Sequence, residues 1–395
     1  GRERCLDAFS VVLSQECDDQ GWYTSTLQLQ LASLQLCILC RARPLLHLRM
    51  ERSTPARLWA GGEAEADAFQ AIAAGEPFPT RVPPALARVV KWKATAYRLR
   101  SATSTLEHAK CWIFDPNFNE NIENPAWPPG LKEILFGHSF TYPIEHISWP
   151  ASLLKLTIGD FFNRPITGMV WPPSLRQLTF GTCFNQPIDD VLWPASLQNI
   201  HFKSGDFNQP IDEVVWPVSL QQLVLGAIFN RPIDKVAWPV SLQQLTFGAC
   251  FEQSIRRVSW PPSLRKLTIN GVFEQQPIAG VVWPASLEQL ILGGDFDHPI
   301  DKVVVWPASL QQLVLGDQFN KPIDEVMWPA SLQQLRFGNC FNQPIDKVTW
   351  PASLRELSFG RDFQRPIDHI KWPASLRLLT IARPPGHPLS APPTV

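Results

Sequence analysis

Twelve Trp-Pro dipeptides punctuate this chain. They sit at Trp127, Trp149, Trp171, Trp193, Trp216, Trp238, Trp260, Trp283, Trp306, Trp328, Trp350 and Trp372, and the spacing between neighbours never varies by more than a single position. A beat that short and that constant is the mark of one small unit copied and stacked, in which each copy contacts its neighbours and no copy buries its own apolar residues. A residue that recurs in every copy is therefore expected to serve the unit before it serves any chemistry.

The copy from Trp171 to Leu192 reads WPPSLRQLTFGTCFNQPIDDVL. Leu175, Leu178 and Phe180 form L-x-x-L-x-F, whose second half alternates with period two, as in a short strand with one buried face. Thr179 falls on the opposite face. The same frame recurs at Leu153, Leu156 and Ile158, at Leu220, Leu223 and Leu225, and at Leu310, Leu313 and Leu315. After the strand come Gly181, a turn, Phe184 and Pro187. A strand plus several helical turns does not fit in so short a unit, and the two recurrent prolines oppose a helix. The return side is thus expected to be irregular, with Ile188, Val191 and Trp193 covering the strand from within. Three copies carry one extra residue, each at a different place (after Phe202, after Phe273 and within Val303-Val304-Val305), which marks the return side as loop.

The strand half follows the leucine-rich-repeat pattern L-x-x-L-x-L-x-x-(N/C)-x-L, with Cys183, Cys250 and Cys340 in the N/C slot. The turn half is more specific. Phe162-Asn163-Arg164-Pro165-Ile166, Phe184-Asn185-Gln186-Pro187-Ile188, Phe207-Asn208-Gln209-Pro210-Ile211 and three further copies read F-N-x-P-I. With the P-x-S-L that follows, the array from about Asn117 to Arg383 resembles the FNIP repeat family, a relative of the leucine-rich repeats. Glu252 and Ser254, Glu274 and Gln276, and Asn121 depart from the motif in single copies. The resemblance implies a repeat surface for protein contacts and implies no catalytic residue.

The fold expected is a β-rich, leucine-rich-repeat-like, right-handed solenoid of about twelve coils. It has one curved parallel β-sheet and few or no helices on the return side. Residues 116–382 are assigned to the array, 1–115 to a mixed α+β capping region, and 383–395, with five prolines, to a disordered tail. Within 1–115, residues 63–74 read as a helix, and residues 85–100 as a basic amphipathic element on a solvated face. The Asn column is expected to form amide ladders or turn caps. The Asp column (Asp189, Asp212, Asp234, Asp301, Asp324, Asp346 and Asp368) reads as turn caps in preference to a metal site.

Net charge is -1, from 35 basic and 36 acidic residues, so no global field draws the chain to nucleic acid or acidic membrane. No apolar run reaches membrane-spanning length. Cys37 and Cys40 have C-x-x-C spacing without the second pair that zinc requires. Eight thinly spread cysteines read as free buried thiols, which favours an intracellular, cytoplasmic setting. The chain begins at Gly1, as a fragment would, so the lack of a signal peptide carries no weight. No Ser/His/Asp arrangement, phosphate-cradling loop or H-E-x-x-H occurs, and no cofactor is expected.

Two columns line the outward strand face. Their central stretch is Gln222, Val224, Gln244, Thr246, Lys266, Thr268, Gln289, Ile291, Gln312 and Val314. A low-charge, mildly apolar surface of this kind suits a protein partner, although Val, Ile and Thr also favour strands for their own sake. The leading reading is a non-enzymatic interaction scaffold. One alternative is a substrate-recognition adaptor of a ubiquitin ligase, with an F-box-type module ahead of the array. Another is an enzyme whose catalytic function lies outside the repeats.

Overall fold

The computed structural model describes residues 89–92, 110–122, 125, 127–203, 205–271 and 278–382. The expected 63–74 helix and the proline-rich tail lie outside the described residues, as do Cys5, Cys17, Cys37 and Cys40. The chain forms two compact units, Gly1–Phe136 and Gly137–Val395. In the first, β1 (Val89–Trp92), β2 (Cys111–Phe114) and β3 (Glu133–Leu135) pair in parallel and in sequence order. In the second, β4 (Lys155–Thr157) begins a parallel series that runs through β5 (Gln177–Phe180), β6 (Asn199–Phe202), β7 (Gln222–Val224), β8 (Gln244–Phe247) and β9 (Lys266–Ile269). It continues through β10 (Gln289–Leu292), β11 (Gln312–Leu315), β12 (Gln334–Arg336), β13 (Glu356–Phe359) and β14 (Leu378–Ile381). Among the described residues there is no helix. The array is a parallel β-solenoid.

Strand register repeats the sequence beat. Lys155 pairs with Gln177, and Gln177 with Asn199, each one coil on. Where a copy carries an extra residue the partner lies one position further along the chain, as in Asn199 with Gln222, Lys266 with Gln289, and Gln289 with Gln312. The insertions are thus absorbed on the return side, and the strands stay in phase.

Several recurrent polar and turn residues have an identifiable bond. In P-x-S-L, the Leu175 N–H donates to the Pro172 carbonyl at 3.1 Å, closing the turn that launches the strand. The serine between them reaches across coils. Ser196, Ser219, Ser241, Ser286, Ser309 and Ser331 each donate to the leucine carbonyl one coil back at 2.7–2.8 Å. In G-x-x-F, the Phe162 N–H donates to the Gly159 carbonyl at 3.2 Å.

The asparagine column is an amide ladder, as expected. Asn163, Asn185, Asn208 and Asn230 each offer their side-chain oxygen to the backbone N–H one coil on, at 2.9–3.0 Å. Asp297 takes the same role for Asn320 at 2.8 Å. Replacing Asn208 by Leu leaves the Asn230 N–H without an acceptor, which costs about 1–3 kcal/mol. Asn208→Asp keeps an acceptor, as Asp297 does, and is expected to keep most of the stability. Urea denaturation of the two variants beside the parent chain separates these outcomes. Equal losses would refute the ladder.

The core is a set of like-on-like columns. Phe162, Phe184, Phe207 and Phe229 are all buried, and their rings stack at 6.1–6.3 Å with planes within about 11° of parallel. Strand-side rings sit closer, at 5.1 Å for Phe180 on Phe202 and 5.3 Å for Phe337 on Phe359. Trp171 stacks on Trp193 at 6.0 Å. The indole N–H groups of Trp171, Trp193, Trp216 and Trp238 are buried without an acceptor, so these tryptophans act as apolar plates and not as donors. Burying each large side chain contributes roughly 1.5–3 kcal/mol before entropy.

One expectation is corrected and another is met at a single position. Only Cys111 of the described cysteines is buried; Cys183 and Cys340 are half-exposed and Cys250 is exposed, though none of the four is in a disulfide. The N/C slot lies at the coil rim, where a thiol is not enclosed. Turn capping by the Asp column is seen at Asp301, whose carboxylate accepts from the Val303 N–H at 3.1 Å. The remaining aspartates of the column are exposed.

Candidate interaction surfaces

The sheet brings the sequence-derived site residues together. Gln222, Gln244, Lys266, Gln289 and Gln312 face one another across adjacent strands, as do Val224, Thr246, Thr268, Ile291 and Val314. Parallel strands about 4.8 Å apart pack these side chains shoulder to shoulder. The face is accordingly less open than its composition suggests. Gln244 is exposed, Thr268 is buried at 8%, and the other eight are half-buried. What remains is a smooth surface in which Lys266 is the one charge among the ten.

Around Asp160, which follows β4, lies a polar cluster. Asp160 binds Lys203 Nζ at 2.8 Å and His138 Nδ1 at 3.2 Å, and the His138 ring packs on Phe161. Burial works to raise the Asp160 carboxyl, but the bonds from Lys203 and His138 outweigh it and hold it below the ordinary value. Thr182 Oγ1 donates to the Asp160 carbonyl at 3.4 Å. Burial, with Asp362 and Asp317 nearby, pushes the Cys340 thiol up, away from the thiolate a nucleophile needs. His201 is lowered by burial and by Lys203. Among the described residues no three His, Cys, Asp or Glu side chains converge as metal ligands.

On the return side an open groove of about 830 Å³ runs past Pro187, Pro210 and Pro232, edged by Asp189, Asp212, Asp234, Glu213, Arg231 and Lys235. Its mixed charge selects no small-molecule class.

Sequence reasoning missed a third surface. From Trp149 onward the residue before each Trp-Pro points outward: Val170 and Leu192 are 83% exposed, Val215 78%, Val282 79%, Val305 77% and Met327 72%. Three residues further on, Val218 and Val240 are exposed at 76% and 69%, in a column whose other members are Ala or Pro. The signal was present as alternation, since Val191 and Val214 point in where Leu192 and Val215 point out.

A parallel solenoid built on L-x-L strands, with like side chains stacked in columns, is a leucine-rich-repeat-type array. The chain belongs to the FNIP repeat family, which matches residues 118–161, 162–205, 184–228, 207–250, 229–272, 302–340 and 341–382. Among curated proteins, none matches it. Of solved structures, it is similar to CroV588, a circular leucine-rich-repeat protein, at 26% identity and a TM-score of 0.34, covering 78% of this chain and 60% of that one. It is also similar to TLR13 in a complex with ssRNA13, at 14% identity and a TM-score of 0.56, covering 87% of this chain and 52% of that one. An internalin from Listeria monocytogenes matches at 14% identity and a TM-score of 0.47, covering 73% of this chain and 83% of that one. The chain thus spans under two thirds of the CroV588 and TLR13 chains. Among the described residues no helix is long and apolar enough to cross a membrane.

Proposed function

We propose that the array is a non-enzymatic protein-interaction scaffold that holds a protein partner on the outward face of its sheet, centred on Val224, Ile291 and Val314. One observation carries this reading: ten columnar side chains of low charge share an uninterrupted run of parallel strands from β7 to β11. Such a surface desolvates at little electrostatic cost, and its glutamines supply the sparse hydrogen bonds of an interface. Cytoplasmic placement fits the four described thiols, which stand outside any disulfide among the described residues.

The test is a pull-down that compares the parent chain with a Val224→Glu, Ile291→Glu, Val314→Glu variant. All three side chains are half-exposed, so the far-UV spectrum is expected to be unchanged. Carboxylates in the middle of the face are expected to abolish capture of whatever the parent retains specifically. Identical capture by a folded variant places the partner elsewhere.

A further inference from the structure

The outward column before each Trp-Pro is independent of the sheet face, and its chemistry points to a different occupant. We infer that this flank is the contact surface between two copies of the chain, arranged antiparallel about a two-fold axis that lies across the stripe between the Glu213 and Lys235 coils.

Three observations converge. The first is the exposed, largely apolar stripe itself, with Val170, Leu192, Val215, Ala237, Ser259 and Val282 in one column and Val218 and Val240 in the next. A soluble surface rarely leaves so long an apolar row uncovered. The second is the charge column beside it, two residues before the outward valine. It reads Gly168, Asp190, Glu213, Lys235, Arg257 and Gly280 in successive coils. Reversing coil order about the proposed axis sets Glu213 against Lys235 of the second copy, Asp190 against Arg257, and Gly168 against Gly280. Every charge of this column meets its opposite, and each pair occurs twice by symmetry. The third is that these four charges are available. Among the described residues none of them enters an ion pair, whereas Lys302 and Glu325, further along the same flank, already pair with each other at 3.5 Å.

The same axis sets Val170 against Val282, Val215 against Ala237, and Leu192 against Ser259. Both copies share one coil rise, so the columns stay in step along the contact. Eight coils at about 4.8 Å, by five residues at roughly 3.4 Å, present on the order of 650 Å² of flank per copy. That is near the roughly 800 Å² per partner of a standard interface.

Sedimentation equilibrium of the full chain reads the outcome. The monomer is 44.6 kDa, and the expected species is twice that mass. Glu213→Lys alone and Lys235→Glu alone each juxtapose like charges and are expected to weaken the dimer at least ~10-fold. Mixing the two single variants restores opposite pairs and is expected to restore the dimer. Val215→Glu with Val218→Glu gives monomer with unchanged far-UV spectrum and melting temperature, and the Val224, Ile291, Val314 triple variant stays dimeric. A parent chain that remains monomeric at about 100 µM, well above a micromolar Kd, overturns the inference. So does a dimer that survives both charge variants, or a mixture that stays monomeric.

Discussion

Gly248→Ala is expected to destabilise the array by more than about 4 kcal/mol, a loss reserved for substitutions that break the structure's geometry. The cause is the distance between coils, not backbone conformation. A Cβ at Gly248 sits 2.3 Å from the Gly226 carbonyl oxygen and 2.4 Å from the Ala227 Cα, and both are backbone atoms. Neither moves as a side chain does. The two coils must part, and the 2.8 Å bond from the Cys250 N–H to the Ala227 carbonyl is lost with them. Gly159, Gly181, Gly338 and Gly360 stand equally close to the coil behind, at 2.1–2.2 Å. Two comparisons make the expectation specific. Gly226, which follows a one-residue insertion, has its nearest atom at 2.8 Å and is expected to cost less. Gly168 has a φ of +75° and open space around its missing Cβ, so alanine there costs only about 1–2 kcal/mol. Urea denaturation of the three variants should rank them Gly248, Gly226, Gly168. A Gly248→Ala variant as stable as Gly168→Ala removes close coil approach as the reason for the column.

Much of the coil was readable because one residue type returned to one slot. Leu178, Leu245 and Leu313 alternate with Thr179, Thr246 and Val314, and period-two alternation has one structural meaning when it recurs once per coil. The asparagine ladder was legible for the same reason. The serine of P-x-S-L was not, because a serine after proline reads as turn chemistry, and only the stacked geometry shows its hydroxyl donating to the coil behind. The glycine column hid in the same way. It looked like a turn residue, and its necessity comes from a neighbouring coil that the sequence does not display. The strands at Val89–Trp92 and Cys111–Phe114 carry no motif, yet Val89 pairs with Cys111 and Cys111 with Glu133 at the interval that the Trp-Pro array keeps. Phase alone could have located them. The outward sheet columns were identified residue by residue, but their exposure was not. Crowding between adjacent strands, which buries Thr268, depends on spacing and neighbours that no single column reports.

The second large effect separates a stacked array from an ordinary globule. Deleting residues 216–237 removes one coil and joins Val215 to Trp238, so the motif continues without a break. Gln244 then meets Asn199 in the register that Gln222 held, and the Glu252 N–H finds Asn208 in place of Asn230. The chain loses one repeat and one interface of the many that add up along the array. Deleting residues 216–226 removes half as much chain, but it takes out β7 and leaves a return side with no strand. The columns on either side fall out of phase, and no relaxation of side chains restores them.

Thermal unfolding followed by far-UV circular dichroism, run on these two deletions beside the parent chain, addresses the stacking of interchangeable coils most directly. The account predicts that the full-coil deletion keeps the parent's spectrum and cooperative melt, displaced by only a few degrees, while the half-coil deletion loses both. A full-coil deletion that unfolds, or a half-coil deletion that melts like the parent, would contradict it.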